Sequence, residues 1–434
     1  MTKVITYGTF DLFHHGHQRL LERAKALGDY LIVGVTADDF DKTRGKINVA
    51  QSLMERIEAI RDTGIADEII VEEYEGQKID DIRRYDIDIF TVGSDWVGKF
   101  DYLNEYCKVV YLDRTQGVSS SEIREEKRKI RLGLVGNTVL VEKFARECQY
   151  VNGLEATAIC AGRRVALEGD IFQTEDYGEL LRRVDAVYIA SLPRLHGEQI
   201  RMALQAGKHV LCESPIALSR AQNDELFELA RRNGCVLMDS IKTAYATAYS
   251  RLLLLVKGGK IGTAYSIDAT CTSLQEMTDE SWNSICAWGP TAMLPVFNLL
   301  GTDYQSKTII SHMIREGYDQ FTKINFIYDH AVASIKVGKG VKSEGELVIS
   351  GTKGYLYVPA PWWKTDYFEI RYEDSSLNRR YFYQLDGEGI RYELVAFFKA
   401  IDSGRDSAYI SQDVSGAICK VTEDFYNRVD FVEI

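Results

Sequence analysis

The sequence is short of proline, with 6 in 434 residues, and no stretch is rich enough in proline, glycine or serine to read as a flexible linker. Its domains are therefore expected to be joined tightly. The eight cysteines, at positions 107, 148, 160, 212, 235, 271, 286 and 419, include no Cys-x-x-Cys pair. That excludes the usual zinc and redox spacings and a disulfide framework, and leaves reduced, mostly buried thiols. No apolar run approaches a membrane span, and residues 252–256 make only a brief one. The opening MTKVITYGTFDLF lacks a charged segment followed by an apolar one, so no signal peptide is read and a cytoplasmic location is expected. Basic residues are outnumbered, 52 Lys and Arg against 64 Asp and Glu, for a formal charge of −12. This excludes the broad basic face that nucleic acid requires, but not a locally basic pocket for a small anion.

A chain of 434 residues exceeds what one hydrophobic core organises, so two or three domains are expected. No segment repeats at a solenoid period. Up to about Ile130, short β-rich runs alternate with amphipathic helical patterns. Strands are predicted at 4–6, 30–35, 68–71, 87–92 and 109–112, with helices at 17–26, 53–61 and 78–84. The charged segment 121–129 is predicted to form a closing helix. Such alternation gives βαβ units and a parallel sheet. A second series begins at Ile130, with strands at 130–136, 156–160, 186–190 and 209–211 and helices at 137–148, 177–183, 196–206 and 219–233, ending near Ser240. Beyond it, alternating strands at 263–272, 323–327, 331–337, 345–350 and 355–358 predict an antiparallel sheet. The expected fold class is α/β: two parallel doubly wound sheets, then an α+β domain with a large antiparallel sheet. The expected domains are 1–129, 130–240 and 241–434.

The strongest chemical signal is Gly8-Thr9-Phe10-Asp11-Leu12-Phe13-His14-His15-Gly16-His17, at the switch from the first strand to the first helix. Backbone N–H groups and the positive end of a helix face any anion bound there. Gly16 lets a phosphate approach the backbone closely. His14 and His17 bracket it and can donate hydrogen bonds to an α-phosphate as charge builds in an in-line displacement. Nucleotidyl transfer needs mainly positioning and charge neutralisation, which imidazoles and cationic side chains supply. The plainer alternative is a helix start with surface histidines, but two histidines and a glycine at a strand-to-helix switch point disfavour it.

This loop, with LLERAKALGDYLIVG (20–34), GSDWVGKFDYL (93–103) and RTQGVSSSEI (114–123), resembles the HxGH nucleotidyltransferase superfamily, and specifically its glycerol-3-phosphate cytidylyltransferase branch. The resemblance covers nearly all of residues 1–130, and the last stretch matches the family's second signature, RTxGISTT. It implies that Gly8, Thr9, Phe10, Asp11 and Gly16 line the CTP site. His14 and His17 would contact the triphosphate, and Asp11 would lie near magnesium or the ribose. Arg114, Thr115, Ser119 and Ser120 would grip the β- and γ-phosphates and the leaving pyrophosphate, and short hydroxyls and N–H groups ahead of a helix independently make an anion nest. Asp95 would help define the cytidine and acceptor pocket; its alternative is a turn residue ahead of Trp96. Arg44, Lys46 and Arg56 would meet the phosphates of CTP and acceptor. The chain departs from the branch around residues 48–53, which leaves open glycerol phosphate or a longer polyol or ketose phosphate as acceptor.

From Ile130 the chain looks like the Gfo/Idh/MocA oxidoreductases, a Rossmann domain followed by an α+β domain. The stretches that carry this are IRLGLVG, DAVYIASLPRLHGEQIRMALQAGKHVLCESPIALS and GGKIGTAYSIDAT. Three departures bear on activity. Gly136 is followed by Asn137-Thr138-Val139-Leu140-Val141, so Thr138 replaces the glycine that admits a pyrophosphate and Val141 crowds the helix–sheet contact. The family's Glu-Lys-Pro becomes Glu213-Ser214-Pro215, and Thr291 and Leu294 fall where a histidine and an aspartate are expected. Neither can act as a general acid or base near neutral pH. Gly136, Arg163, Arg164 and Lys242 remain as candidate NADP contacts, with Tyr245 a further polar candidate near a nicotinamide.

The sequence therefore predicts a cytidylyltransferase that moves CMP from CTP, with Mg²⁺, to a polyol or sugar phosphate for a surface polymer. No metal site fixed on the protein is expected. The second region is expected to be catalytically silent and to serve in structure, regulation or homo-oligomer formation, as a homodimer or larger. The alternative is a bifunctional enzyme that also reduces a keto group with NADPH. Expected partners are CTP and the phosphorylated acceptor, with no nucleic acid and no membrane.

Overall fold

Five short runs of β-branched and apolar residues build the first sheet: β1 (Lys3–Gly8), β2 (Tyr30–Thr36), β3 (Glu68–Glu72), β4 (Ile89–Gly93) and β5 (Lys108–Leu112). All pairings are parallel, in the order β3-β2-β1-β4-β5. A central parallel strand is covered on both faces, so it reads as a continuous apolar run. Successive residues of β1 accordingly enter different cores. Val4 packs with Leu21, Ala24, Ile57 and Ile60 of helices α1 (His15–Lys25) and α2 (Leu53–Asp62). Ile5 packs with Ile82 of α3 (Gln77–Tyr85) and with Phe90 and Phe100. Ser52 caps α2 through a reciprocal capping box with Glu55, which fixes where that helix begins. The computed structural model describes the chain except residues 38–48, 50, 74–75, 114–128, 137, 164, 166–170, 276–281, 384 and 405–407. The predicted closing helix 121–129 therefore lies almost wholly outside the described residues.

This first unit is Met1–Arg128, and Lys129–Ile434 forms the second. There, β6 (Ile130–Gly136), β7 (Leu154–Cys160), β8 (Phe172–Thr174), β9 (Ala186–Ala190), β10 (His209–Glu213) and β11 (Leu237–Ser240) form a parallel sheet in the order β11-β10-β9-β6-β7-β8. Its helices are α4 (Thr138–Cys148), α5 (Tyr177–Leu181), α6 (Pro193–Gln205) and α7 (Arg220–Arg232). Strands β8 and β11 escaped the sequence pattern: the first has only three residues, and the second ends in the polar pair Asp239-Ser240.

Helix α8 (Thr247–Lys257) leads to a nine-stranded sheet, assembled from β12 (Ala264–Ser273), β13 (Ser306–Arg315), β14 (Tyr318–Ile327), β15 (Val332–Lys339), β16 (Leu347–Gly351), β17 (Tyr355–Val358), β18 (Tyr367–Arg371), β19 (Arg379–Phe382) and β20 (Phe431–Glu433). The sheet is mixed. Most pairs are antiparallel, but β12–β15 and β13–β20 run parallel. Alternation reveals that a strand is half-buried and says nothing of its direction. A parallel pair needs a long crossover, and helix α9 (Ser284–Leu300) with the β13–β14 hairpin supplies it between β12 and β15. The chain then returns to the parallel sheet through α10 (Ile390–Ser403) and α11 (Gln412–Tyr426). Helix α11 sits against α7, and Ser415 Oγ donates to Asp239 Oδ2 across 2.6 Å. That return explains why residues 130–240 and 241–434 form one unit.

Candidate active site

Strand order reverses between β1 and β4, so the turns that follow them leave on opposite sides and open a crevice at their carboxyl ends, where open α/β sheets take ligands. The turn after β1 is the histidine-bearing loop. Two of its residues, Phe10 (φ 54°) and Leu12 (φ 49°), adopt left-handed backbone without being glycine. Such conformations cost roughly 1–3 kcal/mol each and persist where the surroundings impose them. Here the imposing groups are visible. Arg56, fully buried, donates from Nη1 to the carbonyls of Thr9 (2.7 Å) and Thr36 (2.9 Å) and from Nε to that of Gln51 (3.3 Å). Gln51 Oε1 accepts from Leu12 N at 2.7 Å, while Gln51 N donates to Asp11 Oδ1 at 2.9 Å. The Phe10 ring folds back over Gly8, where an added Cβ would meet it at 3.0 Å.

The loop delivers His14 as the N-cap of α1. Its Nδ1 accepts from Gly16 N at 3.1 Å, which leaves Nε2 to carry the proton of the neutral ring and to act as donor. Gly16 thus spends its N–H on the cap. The His14 and His17 rings stack with centroids 3.9 Å apart and planes 17° from parallel, and His17 is wedged by Phe10 (5.5 Å) and Phe13 (5.6 Å). Both imidazoles are therefore fixed by packing beside the helix start. Asp95 is exposed on the short turn Ser94–Trp96 at the end of β4, on the other side of the crevice.

The geometry describes two more of the residues expected around CTP. Asp11 is buried, and its Oδ1 accepts from Gln51 N. Arg56 is fully buried and clamps three backbone carbonyls. Arg44, Lys46, Arg114, Thr115, Ser119 and Ser120 lie outside the described residues.

One cluster went unread in the sequence. Lys78, at the start of α3, forms a buried ion pair with Glu72 at the end of β3 and sits 4.6 Å over the Tyr7 ring. Tyr7 Oη donates to Asp81 Oδ2 at 2.8 Å, and burial, helped by Asp81 and Glu72, pushes the phenol far above its ordinary pKa. Glu72 also accepts from Thr36 Oγ1 at 2.9 Å. The signal was the spacing of Gln77, Lys78 and Asp81, all buried on one face of an otherwise charged helix.

In the second unit, β6 ends at Gly136, with φ 106°. A Cβ there would lie 2.4 Å from Ser191 N, so only glycine fits. Arg163 is exposed on a cleft with Ala161, Gln173 and Glu175. Glu213 Oε1 accepts from Tyr188 Oη (2.5 Å) and Ser240 Oγ (3.3 Å). Lys242 pairs with Glu388 at 2.9 Å. Tyr245 is a packed core residue, its Oη on the Asp239 carbonyl at 3.4 Å and its ring against Tyr409. Leu294 is fully buried in α9 and serves the core. All eight cysteines are free. Among the described residues no three His, Cys, Asp or Glu side chains are grouped to hold a metal, and no helix is long and apolar enough to cross a membrane.

A parallel sheet with paired imidazoles at its switch point defines a nucleotide-handling α/β unit. The sequence profile described as cytidylyltransferase-like matches residues 5–126, and the profile of the oxidoreductase family with an NAD-binding Rossmann fold matches 130–240. Glycerol-3-phosphate cytidylyltransferase of Bacillus spizizenii is 52% identical over 126 residues, covering 29% of this chain and 97% of that protein. The chain belongs to the cytidylyltransferase-like family, and its first unit is a nucleotidyltransferase. The second unit is similar to scyllo-inositol 2-dehydrogenase (NADP(+)) IolU of Bacillus subtilis, 27% identical over 270 residues, covering 57% of this chain and 81% of that protein. Its fold matches KijD10, a 3-ketoreductase of Actinomadura kijaniata solved with NADP and TDP-benzene. There the TM-score is 0.64 at 21% identity, over 71% of this chain and 99% of the other.

Proposed function

We propose that the protein transfers CMP from CTP to the phosphate of a small polyol or sugar, giving a CDP-activated precursor of a surface polymer and pyrophosphate. The observation that carries this reading is the stacked His14–His17 pair, fixed beside a helix N-terminus with Nδ1 of His14 on the cap, so that Nε2 is the donor nitrogen of its neutral ring. An oxygen of the acceptor phosphate attacks the α-phosphorus of CTP, and the α–β bridging bond breaks as pyrophosphate leaves. Negative charge grows on the α-phosphate oxygens and the leaving group, where imidazole donors fixed in advance stabilise the transition state more than the ground state. Arg114, Thr115, Ser119 and Ser120 hold the departing pyrophosphate, Arg44 and Lys46 neutralise the two anionic reactants, and Asp95 bounds the cytidine pocket. The donor set around the histidines suits phosphate oxygens and not a resident Mg²⁺, which takes oxygen ligands, so the metal enters on the triphosphate.

For the second unit we propose a ligand-binding and self-associating module without hydride transfer, since Ser214 stands in place of the family's lysine and Leu294 is committed to the core. Gly136 and Arg163 are its candidate NADP contacts; Asn137 and Arg164 lie outside the described residues. Exposed Val332, register-paired with the exposed Ile327, supports homo-oligomer formation through the large sheet. A bifunctional transferase and reductase is the second reading. It is favoured by Lys242, whose charge lies close enough to Glu213 to stabilise its ionised form.

The test is pyrophosphate release from the full chain with CTP, ATP, GTP or UTP and a panel of polyol and sugar phosphates. CTP with one acceptor should dominate in kcat/KM, and His17→Ala should lose about 2.7–4 kcal/mol of transition-state stabilisation while remaining folded. Comparable use of ATP, or wild-type turnover by the variant, refutes the reading.

A further inference from the structure

We propose that Lys143, Lys242 and Lys364 form a binding site for the phosphate of a phosphorylated polyol or sugar, and that the Glu388 carboxylate plugs it from within the chain. The three ammonium groups come from separate elements: α4, the turn Lys242–Tyr245 after β11, and the turn Trp362–Lys364. Lys143 Nζ and Lys242 Nζ lie 3.2 and 2.9 Å from Glu388 Oε2, and Lys364 Nζ lies 2.9 Å from Oε1. Their mutual placement is fixed, because Thr243 Oγ1 donates to the Trp363 carbonyl at 2.9 Å and so ties the two turns together.

One carboxylate leaves three ammonium groups with an excess of two positive charges, and a phosphate monoester, which carries about −1.5 to −2 at pH 7, neutralises them more fully than the carboxylate it displaces. Two other acids within electrostatic reach of Lys242 are buried, which raises the pKa of Glu213 and that of Glu393 far above the carboxylate range. Glu147, also nearby, is engaged by Arg391 at 2.5 Å. The ammonium groups remain reachable from solvent, with the four side chains 27–38% exposed.

The plug has the marks of a held, releasable segment. Gly387, Glu388 and Gly389 all have left-handed backbone, at φ 55°, 56° and 94°, and for Glu388 that conformation is unfavourable. The attraction of three lysines offsets it. A ligand phosphate that takes over those lysines lets the segment relax. Its location fits a ligand site, since Lys242 follows β11 at the carboxyl edge of a parallel sheet. The neighbouring wall fits a polyol or sugar body: Trp363, next to Lys364, packs against Trp288 with ring centroids 5.0 Å apart. The Trp288 Nε1 donor is buried without a hydrogen-bond partner among the described residues.

The ligand class rests on the proposed transferase function, so the ligand is either the free phosphorylated acceptor or the nucleoside diphosphate conjugate made from it. The experiment uses the full chain carrying His17→Ala, with glycerol 3-phosphate, CDP-glycerol and inorganic phosphate as probes. Hydrogen exchange in residues 386–390 reads the site locally, and titration calorimetry reads affinity. One or more probes should raise exchange in that segment, and the ester that does so identifies the source. Glu388→Gln should tighten binding about tenfold, because a site that must first open binds more weakly by the fraction closed. Lys143→Ala with Lys364→Ala should abolish the exchange response. No response to any probe, with equal affinities for Glu388→Gln and its parent, overturns the proposal. So does a fall in melting temperature of Glu388→Gln unaccompanied by any probe effect, which makes Glu388 a structural staple. Pyrophosphate release enters neither readout, so failure of the transferase reading is seen separately.

Discussion

Replacing Arg56 by alanine separates a residue that holds the catalytic loop from one that touches substrate. The side chain is fully buried, and its two short bonds from Nη1 join the carbonyl of Thr9, in the loop, to that of Thr36, at the end of β2. Hydrogen bonds that involve a charged group are worth roughly 1.5–3 kcal/mol each, so losing both costs about 3–5 kcal/mol once partial relaxation is allowed. At about 4 °C per kcal/mol for a unit near 130 residues, its melting transition should fall by some 12–20 °C. Thr9 directly precedes the left-handed Phe10, and without the clamp the strain at Phe10 and Leu12 is released. His14 then loses its placement, and pyrophosphate release should drop about 100-fold, as expected for a displacement near 1 Å. Arg56→Lys restores charge but not the fork, and should recover only part of either loss. Calorimetry on the full chain reads the first quantity and coupled pyrophosphate detection the second. If Arg56→Ala melts with the wild type and only raises KM for CTP, the side chain meets nucleotide phosphate and the clamp argument fails.

Two further outcomes concern the second unit. During CMP transfer, absorbance of NADPH should stay constant with the acceptor or its CDP conjugate present, and oxidation at a rate resembling transfer would establish the bifunctional reading. Asp239 is buried, with its pKa raised to about 7 chiefly by desolvation. An acid whose folded pKa lies above its unfolded value contributes stability below the unfolded pKa, near 4, and loses it as pH rises to about 7. A rise from 3.8 to about 7 corresponds to about 4 kcal/mol, so Asp239→Asn should flatten the decline of second-unit stability between pH 4 and 7. An unchanged slope would place the pH sensitivity elsewhere.

How far the fold could be read follows from what each signal encodes. Strands β1, β2 and β4 announced themselves because burial on both faces demands unbroken apolar runs, the half-buried edge strands β3 and β5 carry shorter runs of the same kind, and the alternation of all five with helices dictates parallel pairing. In the second unit the same logic reached β6, β9 and β10. Periodicity is blind to direction, however, and so the parallel pair β12–β15 could not be told from its antiparallel neighbours. Single-turn elements such as β8 and β20, three residues each, fall below what a period can register.

The site divides in the same way, between chemistry that is local in sequence and chemistry that folding assembles. His14 and His17 share one helical turn with Gly16, so a ten-residue motif contains both the donors and the geometry that fixes them. Arg56 was read as a ligand because a cation near an anionic site invites that role. Two of the carbonyls it clamps, those of Thr9 and Thr36, are 47 and 20 residues away, and nothing in the local pattern points to them. The Lys143–Lys242–Lys364 cluster is an extreme of the same kind: Lys242 alone reads as a cofactor contact, the other two go unread, and only the fold brings all three onto one carboxylate. A motif whose members are contiguous carries its function through sequence alone. A cluster built from distant lysines becomes a hypothesis about binding only when their convergence leaves charge unbalanced, as it does around Glu388.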